Sequence, residues 1–290
     1  MRGLIPWWGR IAAKVALSRL PAGYGIWRKL NMFTHGAMHR ADYALGVFQQ
    51  HFARSGIPVG RQFVALELGP GDSLSSAVIA AAHAAQHTFL VDAGAFATRD
   101  VAVYRDTAAH LRACGLQPPD LAQAQDVESV LRICRATYGT RGLQSLREIP
   151  SASVDFAWSH AVLEHVRRSE FPDFVRELRR ILRVDGTCSH QVDLQDHLGG
   201  QLNNLRIPSR WWEAEWMARS GFYTNRLRMS EIVALFESEG FTVKTLEATR
   251  WDTLPTRPES FASEFRKWDP SELLVKSFAI VLGPGCGRNE

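Results

Sequence analysis

The segment Phe63-Val-Ala-Leu-Glu-Leu-Gly-Pro-Gly-Asp-Ser73 decides the fold of this 290-residue chain. Its first six residues form an apolar run that predicts a buried strand, and Gly69-Pro-Gly71 closes that run. The Ala-rich residues 75–87 follow and predict a helix. Glycines at such a turn let the backbone approach a ligand, and the start of the helix offers free N–H groups. The segment therefore predicts a ligand-binding turn between a strand and a helix.

Strands and helices alternate after this turn. The pattern predicts strands at residues 88–91, 154–158 and 187–194 and helices at residues 99–114, 127–138, 171–183 and 230–239. Alternation at this spacing indicates a doubly wound, mostly parallel sheet of the α/β class. Two late strands, at residues 241–248 and 273–282, have no helix between them. This arrangement predicts an antiparallel strand at the edge of the sheet.

Composition excludes several classes of protein. Charged residues make up 22% of the chain, and Gly and Pro together account for 35 residues, which fits neither a disordered chain nor a coiled coil. The four cysteines, Cys114, Cys134, Cys188 and Cys286, are far apart and form no CxxC pair. A disulfide framework and a zinc cluster are therefore not expected, and the cysteines favour a reducing, cytoplasmic compartment.

Basic residues are concentrated at the N-terminus. Residues 1–41 hold seven of the 34 Lys and Arg and no acid, so the remainder carries 27 basic and 30 acidic residues. A surface that binds nucleic acid would spread its basic residues over the working face, so nucleic acid is not an expected partner. Residues 4–20 predict a basic amphipathic helix. Such a helix could contact the inner face of a membrane, or it could pack on its own domain or on a partner, and the sequence leaves these possibilities open.

These features divide the chain into a helical N-terminal extension, residues 1–60, and an α/β domain, residues 61–290. The 19 uncharged residues from 73 to 91 do not predict a membrane span, because polar residues interrupt them and their apolar members are mostly Ala. A signal peptide is not predicted either, because Arg10 and Lys14 interrupt any apolar stretch at the start.

Two classes of cofactor fit the glycine turn. A dinucleotide fingerprint reads GxGxxG, and Leu74 occupies the place of its third glycine. A nicotinamide-dependent reductase is therefore disfavoured. Asp92 closes the next strand 21 residues after Gly71 and is placed to accept hydrogen bonds from ribose hydroxyls. An acid, Glu67, stands two residues before Gly69.

The turn resembles motif I of the class I S-adenosylmethionine-dependent methyltransferases, an acid, any residue and then Gly-x-Gly-x-Gly, with Ser73 in place of the third glycine. Residues 153–166, which include Leu-Glu-His, resemble the fourth-strand segment of that family. Residues 177–186 resemble the helix and turn before its fifth strand, with Val184-Asp-Gly186 in place of Pro-Gly-Gly. The resemblance covers residues 61–195 and 226–283.

This resemblance implies a Rossmann-like sheet of seven strands and S-adenosylmethionine as the cofactor. It implies that the methionine part is bound near the turn and that the sulfonium end lies near the end of the fourth strand. The implied cofactor-binding residues are Glu67, Gly69, Pro70, Gly71, Asp72, Ser73, Asp92, Ser159 and His160. Leu143 and Gln144 are candidates for contacts with the adenine.

Candidate bases lie at the ends of the fourth and fifth strands. Methyl transfer to a hydroxyl needs a group that accepts its proton. Some sugar O-methyltransferases of this fold resemble this chain in a His after the fourth strand and an Asp at the end of the fifth. The catalytic candidates are accordingly His165, Asp193 and His197. His165 could instead cap or pack its helix.

Other polar residues nearby carry a weaker expectation. His190 and Asp193 are three residues apart, so on a regular strand they point to opposite faces. Asp196 and His197 could simply start a turn. No recognised spacing of metal ligands is present, so no metal site is predicted.

An insertion at residues 195–228 follows the fifth strand and would cover the acceptor. It contains Trp211, Trp212 and Trp216. Aromatic rings beside Asn, Arg and Asp would suit a sugar, although the three Trp could equally form a small core of their own. This part also resembles uncharacterised bacterial methyltransferase-like proteins of cell-surface polysaccharide pathways, through residues 190–193, 196–197 and 225–228.

The expected function is methylation of a hydroxyl on a sugar or glycan intermediate. The alternatives are a small-molecule methyltransferase of secondary metabolism and an inactive cofactor-binding partner protein. The expected partner is a small-molecule or glycan acceptor, and the sequence does not determine the oligomeric state.

Overall fold

The computed structural model describes Gly9, residues 37–197 and residues 199–285. The helix predicted at residues 4–20, apart from Gly9, lies outside these residues, and so does its predicted contact with a membrane. The division of the chain at residue 60 therefore stays a prediction.

A single sheet of seven strands organises the described residues. The strands are β1 (Phe63–Leu68), β2 (Ala85–Val91), β3 (Ala136–Gly139), β4 (Val154–His160), β5 (Leu182–Asp193), β6 (Phe241–Arg250) and β7 (Val275–Pro284). Their order across the sheet is β3-β2-β1-β4-β5-β7-β6. Neighbours from β3 to β5 are parallel, and β7 is antiparallel to both β5 and β6. The structure thus confirms the doubly wound, mostly parallel sheet and the antiparallel pairing at its edge.

Helices cover both faces of the sheet. They are α1 (Ala41–Ser55), α2 (Ser75–Ala82), α3 (Val101–Ala113), α4 (Val127–Ile133), α5 (Leu143–Arg147), α6 (Phe171–Ile181), α7 (Ser209–Trp212), α8 (Glu215–Ala218), α9 (Met229–Ser238) and α10 (Pro270–Leu273). Short 3₁₀ turns add Leu163–His165 and Asn203–Arg206, among others. Within the described residues, every helix falls short of the length and apolarity that crossing a membrane requires.

Two predicted helices are shorter in the structure because a residue that is not glycine takes a left-handed conformation. The helix predicted at residues 75–87 ends at Ala82, since Ala84 has a φ of 71°, and β2 begins at Ala85. The helix predicted at residues 127–138 ends at Ile133, since Arg135 has a φ of 52°. Residues 136–139 then form β3, a strand that the sequence pattern did not predict.

The hydrophobic core has one layer on each face of the sheet. On one face, α6 and α9 pack against β4, β5 and β7. On the other, α1, α2 and α3 pack against β1 and β4. The ring of Phe48 on α1 meets Trp158 on β4 edge to face, with centroids 5.3 Å apart. Burying a side chain such as Phe48 stabilises a fold by about 1.5–3 kcal/mol, so α1 contributes to this layer of the core.

Candidate active site

The carboxyl ends of the central strands meet at one edge of the sheet, which is where ligands bind in open α/β sheets. Gly69 follows β1, and Asp92 follows β2. His160 and Asp193 are the last residues of β4 and β5. Most of the residues singled out by sequence therefore lie along this edge.

The glycine turn depends on the absence of side chains. Gly69 and Gly71 have φ angles of 66° and 70°, in the left-handed region that favours glycine. A Cβ on Gly69 would lie 2.5 Å from Cγ2 of Val162, which follows β4. The N–H of Gly71 donates to Oδ2 of Asp92 at 3.0 Å, which joins the ends of β1 and β2.

The serine at the third glycine position fits without strain. Ser73 is not among the residues with a positive φ. Its hydroxyl accepts a hydrogen bond from the backbone N–H of Ser75 at 3.2 Å and lies 2.7 Å from the Ser75 hydroxyl. Ser73 therefore ties the turn to the start of α2, and its departure from the family pattern leaves the turn intact.

The neighbouring Asp72 is held by a residue from outside the turn. Its Oδ2 lies 2.5 Å from Nδ1 of His39, a largely exposed residue just before α1. Pro70, on the other side of Gly71, is buried. The turn is thus anchored by the buried Pro70 and by the contact of Asp72 with His39.

Two carboxyl groups flank the turn. Glu67 is 3% exposed, and burial raises its pKa to about 8, although the nearby Ser76 hydroxyl and Trp158 indole lower it in part. Its Oε2 has no hydrogen-bond partner among the described residues. Asp92 is half-buried and accepts hydrogen bonds from Gly71 and Ala93, and burial raises its pKa to about 6.

The start of α5 lies next to Asp92. The N–H of Gly142 donates to the carbonyl of Asp92 at 2.8 Å, and the N–H of Asp92 donates to the carbonyl of Gly139 at 2.8 Å. Leu143 and Gln144, the candidates for adenine contacts, begin this helix. Their place beside the end of β2 is consistent with that expectation.

Ser159 and His160 point to opposite faces of β4. The Ser159 hydroxyl is buried and lies 2.8 Å from Nδ1 of His190. His160 is half-buried, and its Nδ1 lies 3.3 Å from Nε2 of His51 on α1. Burial and the charge of Arg54 lower the pKa of His160, so its ring is neutral at pH 7. Contact of the Ser159 side chain with a cofactor would require it to leave His190.

Sequence reasoning missed His51. Its Nδ1 lies 2.8 Å from the hydroxyl of Ser189, and burial lowers its pKa to about 3. The available signal was a histidine on the otherwise apolar stripe of α1, which includes Phe48 and Phe52. His51 thus links the core of the sheet to His160 at its edge.

His165 follows β4 in the 3₁₀ turn Leu163–His165. Its Nδ1 lies 2.8 Å from the backbone carbonyl oxygen of Tyr223. A carbonyl only accepts hydrogen bonds, so Nδ1 carries a proton, and a neutral ring would have its lone pair on Nε2. The His165 ring lies 4.7 Å from the ring of His197, centroid to centroid. The fold therefore brings two of the three catalytic candidates together.

Asp193, the third candidate, is connected to His165 through the neighbouring residue Glu164. Its N–H donates to Oε1 of Glu164 at 3.3 Å. Its Oδ1 accepts hydrogen bonds from the backbone and side-chain N–H groups of Gln195, at 2.9 and 3.0 Å. Glu164 is 2% exposed, its pKa is raised to about 8 by burial and by the nearby Asp193, and its Oε2 has no partner among the described residues.

Two polar residues near this cluster have structural roles. His190 is buried and stacks on Phe236 of α9, with centroids 5.6 Å apart. Asp196 accepts hydrogen bonds from the N–H groups of Gly200 and Asn203, so it begins a turn, which is one of the two roles that the sequence left open.

Glu164, His165 and His197 could also hold a metal ion. Each offers one ligand atom, and the three atoms lie within 4.8 Å of one another. The spacing in sequence did not predict this set, because His197 is brought to the other two only by the return of the chain through β5. Glu164 went unnoticed as a functional residue although it is part of the Leu-Glu-His segment.

Most of the large and polar side chains of the insertion after β5 contact other residues of the protein. Trp212 is buried in a small cluster with Met217, Phe222 and Tyr223. The guanidinium of Arg226 lies 5.2 Å from the centroid of the Trp212 ring and donates to the carbonyl of Ile207. The side chains of Asn204 and Asn225 likewise bond within the protein. Trp211 and Trp216, by contrast, are 51% and 41% exposed.

Comparison with known proteins gives one family match and distant structural similarities. Residues 91–189 match the family model described as a methyltransferase domain. No curated protein matches the chain. A solved S-adenosylmethionine-dependent methyltransferase from Mesorhizobium loti is 16% identical and is matched over 84% of this chain and 99% of its own, with a TM-score of 0.46. A 1,6-didemethyltoxoflavin-N1-methyltransferase from Burkholderia thailandensis is 14% identical over 95% and 89% of the two chains, with a TM-score of 0.47.

The residues at the sheet edge fit S-adenosylmethionine. Gly69 and Gly71 take left-handed backbone conformations that glycine permits, and Asp92 presents a carboxylate at the end of β2. Glu67 offers a buried oxygen that no described residue satisfies. With the family match, this fit makes the chain an S-adenosylmethionine-dependent methyltransferase.

Proposed function

We propose that this S-adenosylmethionine-dependent methyltransferase methylates a hydroxyl group of a sugar or glycan intermediate. The observation that carries the proposal is the pairing of His165 and His197, with Nδ1 of His165 bonded to the Tyr223 carbonyl. Bound S-adenosylmethionine supplies a methyl group on a positively charged sulfur. The chain must then bind, orient and activate the acceptor.

The cofactor is held by residues of the sheet edge. Asp92 accepts hydrogen bonds from the ribose hydroxyls, and Glu67 faces the methionine part. The glycine turn, with Pro70, Asp72 and Ser73, shapes the floor of the site. Ser159 and His160 lie towards the reacting methyl group, His160 through its ring and Ser159 through its backbone.

The acceptor hydroxyl is activated at the ends of β4 and β5. A sugar hydroxyl is a weak acid, so transfer needs a basic group within hydrogen-bond reach. His165, Asp193 and His197 supply that group. Holding the two reactants in line can contribute about 7–11 kcal/mol to lowering the barrier, which makes positioning by the insertion as important as the base.

Two features support a sugar as the acceptor. Trp211 and Trp216 expose aromatic surface on α7 and α8, which belong to the insertion after β5. Aromatic rings present the flat apolar surface on which sugar rings stack. The basic residues 4–20 would hold the enzyme at the cytoplasmic face of a membrane, where lipid-linked glycans are assembled.

Turnover with a panel of acceptors tests the proposal. The purified chain is incubated with S-adenosylmethionine and with nucleotide sugars or lipid-linked sugars, and with matched acceptors that carry an amine or a carboxylate in place of the hydroxyl. We expect methyl ethers of the sugars, and no transfer in an Asp92→Ala variant. Transfer only to amines, carboxylates or non-sugar molecules would contradict the proposal.

A further inference from the structure

Glu164, His165 and His197 form a cluster of one carboxyl and two imidazoles beside the acceptor site. Their ligand atoms lie within 4.8 Å of one another. Glu164 and His165 come from the turn after β4, whereas His197 comes from the insertion after β5. Two separate segments thus converge on one point.

The Glu164 carboxyl is incompletely satisfied at this point. Its side chain is almost completely buried, yet Oε2 has no hydrogen-bond partner among the described residues. A buried carboxyl oxygen without a partner costs free energy unless a donor or a cation compensates it. The second carboxyl, on Asp193, lies nearby and adds negative charge, so a cation would be favoured here.

His165 is oriented as metal-binding histidines usually are. Such a ring donates its second N–H to a carbonyl or a carboxylate, which fixes the tautomer and leaves the other nitrogen for the metal. The contact between Nδ1 of His165 and the Tyr223 carbonyl, at 2.8 Å, provides this arrangement and directs the lone pair to Nε2.

We propose that Glu164, His165 and His197 bind a divalent transition-metal ion of the zinc and cobalt type. Mixed nitrogen and oxygen ligands favour such ions over Mg²⁺ and Ca²⁺, which prefer oxygen alone. Three protein ligands leave a coordination position open, as in catalytic sites.

The role of the ion rests on the proposed function. A cation at this position would bind the acceptor oxygen and lower the pKa of the hydroxyl. Asp193 would then accept the proton, because the lone pairs of both imidazoles would be held by the ion. Binding itself is independent of the acceptor and can be measured without it.

Titration with Co²⁺ tests the site. The full chain is freed of metal with a chelator, transferred to chelator-free buffer and titrated with Co²⁺ by calorimetry and visible absorption. We expect one Co²⁺ per chain. His197→Ala and Glu164→Gln should each weaken binding at least about 10-fold while the circular dichroism spectrum and the affinity for S-adenosylmethionine stay unchanged.

His110→Ala is the matched control. It removes the histidine next to the exposed Cys114, 3.7 Å away, where a thiol and an imidazole could also attract Co²⁺. This variant should bind as the wild type does. If Glu164→Gln does not fold, His197→Ala, at a half-buried position, decides alone. The proposal is overturned if the wild type binds no stoichiometric Co²⁺, if His197→Ala binds normally, or if His110→Ala abolishes binding. Failure of the proposed function would instead show as absence of sugar methylation.

Discussion

Nδ1 of His165 donates to the backbone carbonyl of Tyr223 at 2.8 Å, and this contact joins the turn after β4 to the insertion that follows β5. Tyr223 belongs to the small core around Trp212, so the packing of the insertion sets the orientation of the His165 ring. The insertion and the proposed catalytic histidine are therefore one structural unit.

Removal of the proposed acceptor-activating groups should slow transfer without loss of cofactor. His165→Ala and Asp193→Asn should each lower turnover by about 10²–10⁴-fold, the usual contribution of general base catalysis. The double variant should lose less than the product of the two single losses, because groups that act together are not additive.

Turnover and calorimetric affinity for S-adenosylmethionine measure this effect. His87→Ala serves as the control and should behave as the wild type, because His87 lies near the N-terminal end of β2, away from the site. Near-normal rates in both single variants at saturating acceptor would show that these residues do not activate it.

Gly71→Val should abolish cofactor binding while the protein stays folded. The φ of 70° is strained for valine, and the new side chain would stand at the turn where we expect the cofactor to bind. Gly115→Val is the control, since Gly115 has a φ of 80°, open space where a Cβ would stand, and no place in the site. Calorimetry should show lost binding in the first variant only; equal affinities in both would refute the assignment of the turn.

The stability of the wild type should depend on pH through Glu67. Its pKa rises from 4.5 to about 8 on folding, so the folded state keeps a proton that the unfolded state releases. This contribution is fully present below pH 4.5 and is lost as the pH rises towards 8, at about 1.4 kcal/mol per pH unit.

Glu67→Gln lacks this titration, so its free energy of unfolding relative to the wild type should increase between pH 5 and pH 8. Denaturation by urea at several pH values measures the difference, and Glu237→Gln, at an exposed position of α9, provides the control. Parallel curves for Glu67→Gln and the wild type would show that Glu67 is ionised in the folded protein.

Deletion of residues 1–20 should leave the affinity for S-adenosylmethionine unchanged, because the site begins at residue 67. It should weaken binding to anionic liposomes if the basic helix contacts a membrane. That binding should also fall with salt, since exposed charges are screened beyond about 8 Å at physiological ionic strength. Loss of solubility with unchanged liposome binding would favour packing of the helix on the protein.

The parts of the fold that local sequence determines were predictable. The strand and turn from Phe63 to Ser73 are encoded by adjacent residues, and the alternation of strands and helices follows from their apolar patterns. The ends of α2 and α4 were not predictable. Ala84 and Arg135 adopt positive φ angles there, and the sequence has no glycine at these positions to indicate such a conformation. β3 is only four residues long and lies at an edge, so it carries little hydrophobic signal.

The site was predictable where it follows the strand ends and unpredictable where it depends on long-range packing. Asp92 could be placed because it ends a strand at a fixed distance from the glycines. The convergence of Glu164 with His197 could not, because 32 intervening residues determine it. The roles of Asn225 and Arg226 could not be predicted either, because Asn225 donates to Leu163 in the turn after β4 and Arg226 donates to Ile207 within the insertion.

The contact between His39 and Asp72 limits how far this enzyme can be shortened from its N-terminus. The methyltransferase motifs begin at residue 67. A chain that started there would lose both the contact of His39 with the turn and the apolar face of α1. It would expose the aromatic surface of β4 to water and leave His160 without His51. The smallest autonomous catalytic unit therefore begins upstream of His39, well before the first recognisable motif.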